Sequence, residues 1–295
     1  MSINLDAALL KKMSSMTLRA RHVAEGFISG LHQSPFKGAS LEFAQHRQYS
    51  KGDELRHIDW KVYGRTDRLY VKQFQEETNL RGYSVIDTSS SMGYGSAGVT
   101  KLEYASYLSA AITYLMIKQR DSAGLITFAG SMNSFIPPRN FKAHLNHLLG
   151  EMDNLLPAGK TDFMNSFTEI GKIIKKRSLL VVFSDLMADP DRLLRSLKFF
   201  PYLKNDLVVF HILDREEIEL GTKGYIQFTD MESGLKIKTV TDVIRKEYRK
   251  NVSDYLRATE MGLRSHNIDY YRFTTDTPLD RAVSMFMEGR KKIIT

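Results

Sequence analysis

The spacing of apolar residues changes near residue 80, and this change separates two parts of the chain. Upstream, residues 6–31 place apolar side chains close to a 3.6-residue period, which predicts a helix. Residues 35–75 are rich in charges and glycines and contain one clear strand pattern, 69–74. We therefore predict an N-terminal helix followed by an extended arm.

From residue 80 onward, short apolar strands alternate with amphipathic helices. The predicted strands are 82–86, 123–128, 133–136, 178–183, 206–213 and 270–274. The predicted helices are 102–118, 141–155, 163–176, 190–200, 241–265 and 278–288. Such alternation predicts an α/β fold with a doubly wound, mostly parallel, Rossmann-like sheet that helices cover on both faces. A turn at 230–234 between two further strand patterns, 224–228 and 235–240, predicts a β-hairpin insertion.

The composition excludes several kinds of site. The 295 residues include no cysteine, so disulfides, zinc–thiolate centres and cysteine nucleophiles are excluded. No signal peptide is visible, and the longest apolar runs are too short to span a bilayer, so we expect a cytoplasmic protein without a membrane span. The net charge of +8 leaves nucleic-acid binding as an alternative. Because the basic residues are spread along the chain, solvated surfaces are favoured and no nucleic-acid partner is expected.

Candidate chemistry is concentrated at the end of the first strand of the alternating region. Asp87 leaves this strand and is followed by Ser89 and Ser91, which makes a small loop lined by oxygen atoms. Hard cations such as Mg²⁺ bind oxygen ligands, and hydroxyls contribute little charge, so a further carboxylate is needed. Asp185 follows a later strand as Asp87 follows its own, and Thr161 adds a hydroxyl on a third loop.

The expected topology brings the two acids together. In a sheet of order 3-2-1-4-5-6, ligands bind where the order reverses, at the carboxyl ends of strands 1 and 4. With 133–136 as strand 3, strand 1 ends at Asp87 and strand 4 ends at Asp185. We therefore predict one crevice that holds Mg²⁺, or alternatively Mn²⁺ or Ca²⁺. A structural alternative is that these serine- and aspartate-rich turns only cap helices.

This pattern resembles the metal-ion-dependent adhesion site (MIDAS) of von Willebrand factor A domains. That site combines Asp-x-Ser-x-Ser with a threonine on a second loop and an aspartate on a third. The residues that match are Asp87, Ser89, Ser91, Thr161 and Asp185. The resemblance implies a von Willebrand A-like fold and a metal ion whose open position accepts an acidic side chain from a protein partner. It therefore implies binding rather than catalysis.

A second signature lies in the arm, at Arg47, Tyr49, Gly52, Asp53, Arg56, Ile58, Asp59 and Trp60. Together with the metal-site pattern, it resembles the bacterial "domain of unknown function 58" family. The change of pattern near residue 80 predicts a helix and arm over 1–79, packed on a domain over 80–295, and the resemblance implies that this domain is von Willebrand A-like. Members of that family are commonly associated with MoxR-type AAA+ ATPases, which implies an adaptor or chaperone-like role beside such an ATPase.

The arm signature has two interpretations. The first is a set of charge pairs that pins the arm to the domain, with Trp60 as a buried anchor, formed by Arg47, Asp53, Arg56 and Asp59. The second is a further metal or acid–base site, formed by His46, Asp53, His57 and Asp59.

An enzyme is the main rival to a binding module. The glycine-rich segment 93–98 lacks the lysine and the spacing of a Walker loop, and no Gly-x-Ser-x-Gly elbow is present. We therefore expect a protein that is not an enzyme and has no catalytic residues. The alternative is a Mg²⁺-dependent hydrolase in which Asp162 and Asp185 flank an activated water.

Overall fold

The computed structural model describes residues 7–33, 46–48, 60–66, 69–72, 80–96, 98–232 and 234–291. The chain forms two compact units, one of Met1–Gly30 with Leu80–Thr295 and one of Leu31–Asn79. Among the described residues, none of the helices combines the length and the apolar character that crossing a bilayer requires.

The described residues form ten strands, eleven α-helices and a short 3-10 helix at Ser90–Gly93. The strands are β1 (His46–Gln48), β2 (Tyr70–Lys72), β3 (Arg81–Asp87), β4 (Ser122–Phe128), β5 (Met132–Arg139), β6 (Leu179–Ser184), β7 (Asp206–Leu213), β8 (Tyr225–Thr229), β9 (Lys236–Val240) and β10 (Asp269–Thr274). The helices are α1 (Ala7–Leu10), α2 (Met16–Gln33), α3 (Trp60–Thr66), α4 (Lys101–Lys118), α5 (Lys142–Asp153), α6 (Phe163–Ile173), α7 (Pro190–Leu197), α8 (Phe199–Tyr202), α9 (Arg215–Glu219), α10 (Thr241–Ser265) and α11 (Leu279–Lys291).

A six-stranded sheet forms the centre of the larger unit, in the order β10-β7-β6-β3-β4-β5. The pairs are parallel except for β4 with the edge strand β5, which are antiparallel. Counted along the chain within this sheet, the order is 3-2-1-4-5-6. The predicted α/β fold with a doubly wound, mostly parallel sheet is therefore confirmed.

Helices cover both faces of this sheet. On one face, Val85 of β3 and Val182 of β6 belong to an apolar core with Phe167 of α6. On the other face, Phe210 of β7 makes an edge-to-face contact with Phe286 of α11, with ring centroids 5.5 Å apart. Because both faces are covered, β6 is buried at every position, and this explains its uninterrupted apolar sequence.

The N-terminal segment is two helices, and the single helix predicted over 6–31 is wrong. The chain breaks between α1 and α2, where Ser15 accepts a long hydrogen bond of 3.4 Å from the backbone N–H of Leu18. Arg19 donates to the carbonyls of Leu10 and Met13 at 3.1 and 2.8 Å, and to the carboxylate of Asp153 at 2.8 Å. One arginine side chain thus satisfies carbonyls left at the break and connects the N-terminal segment to α5.

The edge strand β5 continues through Pro137 and Pro138, whereas the prediction ended it before them. An edge strand tolerates proline because it has only one neighbour to which an N–H can donate. Gly124 of β4 permits the close approach of β5, since a Cβ there would lie 2.6 Å from the carbonyl oxygen of Ile136.

The helix predicted over 190–200 is divided into α7 and α8. The short helix α9 was not predicted.

The predicted hairpin is present as β8 and β9, which pair antiparallel as a separate two-stranded sheet. Its base is closed by a hydrogen bond of 3.0 Å from the backbone N–H of Thr241 to the carbonyl of Gly224.

The smaller unit contains β1 and β2, which pair antiparallel with Arg47 opposite Val71, and helix α3. Trp60 begins α3 and makes an edge-to-face contact with Tyr63, with ring centroids 6.1 Å apart. Trp60 is 62% exposed, so its predicted role as a buried anchor is wrong. Its ring packs on the next turn of its own helix. The other arm residues of both interpretations lie outside the described residues, apart from the strand positions His46 and Arg47.

Candidate metal centre at the carboxyl edge of the sheet

Three neighbouring strands of the sheet end at an aspartate. Asp87 is the last residue of β3, Asp185 follows β6, and Asp214 follows β7. All three residues are fully buried. Because parallel strands share a carboxyl edge, these acids lie on the same side of the sheet.

The loop after β3 brings three oxygen donors together. The backbone N–H of Ser89 donates to Oδ1 of Asp87 at 2.9 Å, and the hydroxyl of Ser184 donates to Oδ2 at 2.6 Å. The hydroxyl oxygens of Ser89 and Ser91 lie 3.1 Å apart. Asp87 is thereby fixed in one orientation beside two neighbouring hydroxyls.

The loop that carries Thr161 is attached to this loop by two backbone hydrogen bonds. The N–H of Ala158 donates to the carbonyl of Thr88 at 2.7 Å, and the N–H of Ser90 donates to the carbonyl of Gly159 at 2.9 Å. The structure thus places Thr161 on a loop that contacts the Asp87–Ser91 segment.

Lys101 is the principal residue of the site that the sequence analysis missed. Its Nζ lies 2.8 Å from Oδ2 of Asp185 and also donates to Glu217 of α9, and the lysine side chain is fully buried. Thr100 and Glu103 form a capping box that starts α4 at this point. The only sequence signal is a charged residue at the start of a helix that is otherwise mostly apolar.

The electrostatics of the site favour an additional positive charge. Burial raises the pKa of Asp87, and the nearby carboxylate of Asp185 raises it further, while hydrogen bonds from Ser184 and Ser89 oppose the rise. Burial also raises the pKa of Glu217. Burial alone lowers the pKa of Lys101, but Asp185 and Glu217 outweigh it and the net shift is upward. If all four groups are ionised, three carboxylates and one ammonium leave a formal charge of −2.

The donor set fits a hard divalent cation. Asp87 would offer a carboxylate, and Ser89, Ser91 and Thr161 would offer hydroxyl oxygens, which are ligands that Mg²⁺ accepts together with water. The part of the chain that the structure describes contains no group of three or more His, Asp or Glu side chains arranged to hold a metal. A cation here therefore depends on hydroxyls and water as well as on carboxylate.

Asp214 fixes the segment that follows the candidate ligands. It accepts hydrogen bonds from the backbone N–H and the hydroxyl of Ser96, at 2.9 and 2.6 Å, and from the hydroxyl of Thr275 at 3.0 Å. Although burial raises its pKa, these hydrogen bonds lower it overall, so Asp214 is ionised at neutral pH. Its position directly after an apolar strand, like that of Asp87 and Asp185, was a signal that could have identified it.

His211 supports Asp185 from the neighbouring strand β7. Its Nε2 lies 2.8 Å from the carbonyl oxygen of Asp185, and its Nδ1 lies 2.8 Å from the hydroxyl of Tyr270. Burial lowers the pKa of His211 to about 4, so the imidazole is neutral at pH 7. A lone histidine among the apolar residues of β7 was the signal for this contact.

The acids proposed for a hydrolase have other contacts. Asp162 is exposed and caps α6, accepting a hydrogen bond of 3.1 Å from the backbone N–H of Asn165. Asp185 is buried and paired with Lys101. The two carboxylates thus contact different parts of the chain, Asp162 the first turn of α6 and Asp185 the ammonium of Lys101.

The chain resembles other proteins over most of its length. A family described as "Protein of unknown function DUF58" matches residues 45–257. "Uncharacterized protein Rv1480" of Mycobacterium tuberculosis is 23% identical over 291 residues, which cover 97% of this chain and 91% of that protein. "Uncharacterized protein Mb1516" of Mycobacterium bovis matches with the same identity and coverage.

Two solved structures match part of this chain. The conserved hypothetical protein BatB from Bacteroides thetaiotaomicron is 17% identical, with a TM-score of 0.47, and the match covers 72% of this chain and 99% of BatB. The SpRpn10 VWA domain is 15% identical, with a TM-score of 0.42, and the match covers 69% of this chain and 93% of that domain.

Proposed function

This chain belongs to the family described as "Protein of unknown function DUF58", and we propose that it is a metal-dependent protein-interaction module rather than an enzyme. The observation that carries the proposal is the oxygen cluster at the carboxyl edge of the sheet. There, Asp87 is fixed beside the hydroxyls of Ser89 and Ser91, which lie 3.1 Å apart. When ionised, the three carboxylates of Asp87, Asp185 and Glu217 outnumber the single ammonium of Lys101 beside them.

Each residue of the site has a distinct part in this proposal. Asp87 binds the cation directly, and the hydroxyls of Ser89, Ser91 and Thr161 complete the protein's share of the oxygen ligands. Asp185 contributes negative charge without binding the cation directly, and its orientation is fixed by Lys101. Bound there, Mg²⁺ or Mn²⁺ supplies an open coordination position for a carboxylate of the partner.

Exposed apolar side chains on the site loops support a protein partner. Leu156, on the loop that leads to Thr161, is 78% exposed, and Met187, two residues after Asp185, is 51% exposed. Tyr94, three residues after Ser91, is also exposed. Exposed apolar side chains that form one patch are typical of surfaces that a protein covers, and we propose that these three side chains form such a patch. The partner we propose therefore presents an acidic residue with apolar neighbours.

The specific partner we propose is a MoxR-type AAA+ ATPase, with this chain as its adaptor or chaperone-like companion. The support for this choice is the resemblance to a family whose members are associated with such ATPases.

Binding to the cognate ATPase tests the proposal. The wild type, Asp87→Asn and the control Asp254→Asn would be immobilised in Mg²⁺ buffer and exposed to the ATPase in its ADP and ATP-analogue states. Asp254 lies exposed on α10, so its substitution makes the same charge change away from the site. We expect the wild type and the control to bind in at least one state, and Asp87→Asn to lose binding. Equal binding by all three excludes the metal site as the interface, and no binding by the wild type in either state excludes the ATPase as partner.

A further inference from the structure

The tip of the β8–β9 hairpin contacts the loop of Thr161. One carboxylate oxygen of Glu232, Oε1, accepts hydrogen bonds from the backbone N–H and from the hydroxyl of Thr161, each at 3.2 Å. The tip itself is ordered by Asp230, whose carboxylate accepts a hydrogen bond of 2.7 Å from the backbone N–H of Glu232. A carboxylate of this chain therefore already lies against one of the candidate metal ligands.

A second contact of the tip is with the loop that carries the serines. A Cβ placed on Gly93 would lie 3.5 Å from the terminal methyl of Met231 and 2.9 Å from Cγ of Pro157. Gly93 is two residues after Ser91, and the absence of a side chain leaves room for Met231 there. Neighbouring residues of the tip thus place an acidic group on one site loop and an apolar group on the other.

We infer that the hairpin tip is an internal ligand of the metal site, with Glu232 taking the position that a partner's acidic residue takes. The inference rests on the proposed function, because it requires the cation at Asp87. The hydroxyl of Thr161 has one proton and two lone pairs, so it can donate to Glu232 and still offer an oxygen to the cation. A partner must then displace Met231 and Glu232, and the residues that replace them are an acid beside an apolar side chain.

The structure makes this displacement feasible. The hairpin is a two-stranded sheet separate from the central six strands, and Tyr225 on β8 is 70% exposed. An isolated two-stranded hairpin is only marginally stable in water, so its movement costs little of the central fold. Gly224 at its base has a positive φ of 94°, which favours glycine at the junction.

Mn²⁺ binding to the full chain tests the inference without any partner. Electron paramagnetic resonance measures free Mn²⁺ and gives the affinity, and water proton relaxation reports how many waters the bound ion holds. The variants are Glu232→Gln and the control Glu247→Gln, which removes the same charge from an exposed position on α10. We expect Glu232→Gln to bind Mn²⁺ about tenfold more weakly. We also expect a higher relaxation per bound ion, because a water replaces the carboxylate. The control Glu247→Gln should match the wild type in both the affinity for Mn²⁺ and the relaxation per bound ion.

The other outcomes separate this inference from the function on which it rests. If the wild type binds Mn²⁺ and both variants match it, or both weaken equally, Glu232 is not a ligand and the internal-ligand inference is overturned while the metal site stands. If the wild type binds no Mn²⁺, both are overturned. Circular dichroism melting of the two variants verifies that each is folded under the conditions of the titration.

Discussion

The ammonium of Lys101 lies 2.8 Å from the carboxylate of Asp185, and both side chains are fully buried. The pair joins the first turn of α4 to the end of β6. Glu217 of α9 is the second partner of the same ammonium, so the ammonium of Lys101 joins α4, the end of β6 and α9. A buried charge is tolerated only when it is paired, so this lysine is part of the structure of the site rather than a surface charge.

Replacing Lys101 with methionine should destabilise the fold strongly. The substitution leaves Asp185 and Glu217 buried without their counter-charge, and breaking such a pair costs about 3–5 kcal/mol. Urea denaturation in the presence of a chelator measures the change. The control is Lys11→Met, because Lys11 pairs with Glu103 at the surface and an exposed pair contributes at most about 1 kcal/mol. Equal losses in the two variants would refute the importance of the buried pair.

Asp87→Asn should abolish stabilisation by divalent metal. The substitution keeps the shape of the side chain and removes the charge that a cation needs. In the wild type, a metal concentration 100-fold above the dissociation constant adds about 2.7 kcal/mol to the free energy of unfolding. Melting in Mg²⁺, Mn²⁺ and chelator measures this shift, with Asp254→Asn as the control that retains it. Absence of a shift in the wild type would contradict metal binding.

The sheet was predictable because each of its strands is marked in the sequence by a short run of apolar residues. A strand buried on both faces, such as β6, is apolar at nearly every position, and amphipathic helices separate such strands along the chain. The break between α1 and α2 was not predictable in this way. It depends on Arg19 satisfying backbone carbonyls, and that contact is visible only when the side chain is placed.

The sequence identified candidate site residues where they follow one strand or where the predicted sheet order brings strand ends together, as it does for Asp87 and Asp185. Asp87, Ser89 and Ser91 follow one strand, so their proximity is a property of a short segment. Lys101 and Glu232 reach the site across 84 and 71 residues, respectively, to their partners. The one sequence signal is the charge of Lys101 at the start of a mostly apolar helix, and Glu232 looks like an ordinary charged residue of a hairpin turn.

Gly95→Ala should distort the segment between the candidate ligands and α4. A Cβ at residue 95 would lie 2.2 Å from the carbonyl oxygen of Val99 and 2.8 Å from Cα of Thr100, and backbone atoms cannot move aside as a flexible side chain can. We expect a loss of about 1–3 kcal/mol and a smaller metal-dependent rise in melting temperature, because the displaced backbone at Thr100 directly precedes Lys101.

The matched control for this substitution is Gly150→Ala in α5. No heavy atom lies within 4 Å of a Cβ at that position, so the added methyl group meets open space. Alanine is a better helix former than glycine by about 1 kcal/mol, and Gly150→Ala should therefore be neutral or stabilising in the same melting experiment. Destabilisation of both variants to the same extent would show that the close contact at Gly95 is not the cause.

His211 should make the protein less stable as the pH falls from about 6.5 toward 4. Burial lowers the pKa of the folded state to about 4, against 6.5 for an unperturbed imidazole, although Asp185 partly opposes the shift and Arg272 and Lys101 add to it. Between pH 6.5 and 4, the unfolded chain binds a proton at this imidazole and the folded chain does not. This difference in pKa corresponds to about 3 kcal/mol of stability.

His211→Gln should be less stable than the wild type at pH 7, because it loses the bridge between Asp185 and Tyr270. Its free energy of unfolding should nevertheless depend less on pH between 6.5 and 4. Urea denaturation from pH 7.5 to 4.5 measures both, and the difference between wild type and variant removes the contribution of the other acids. Parallel curves would mean that the imidazole titrates normally in the folded protein.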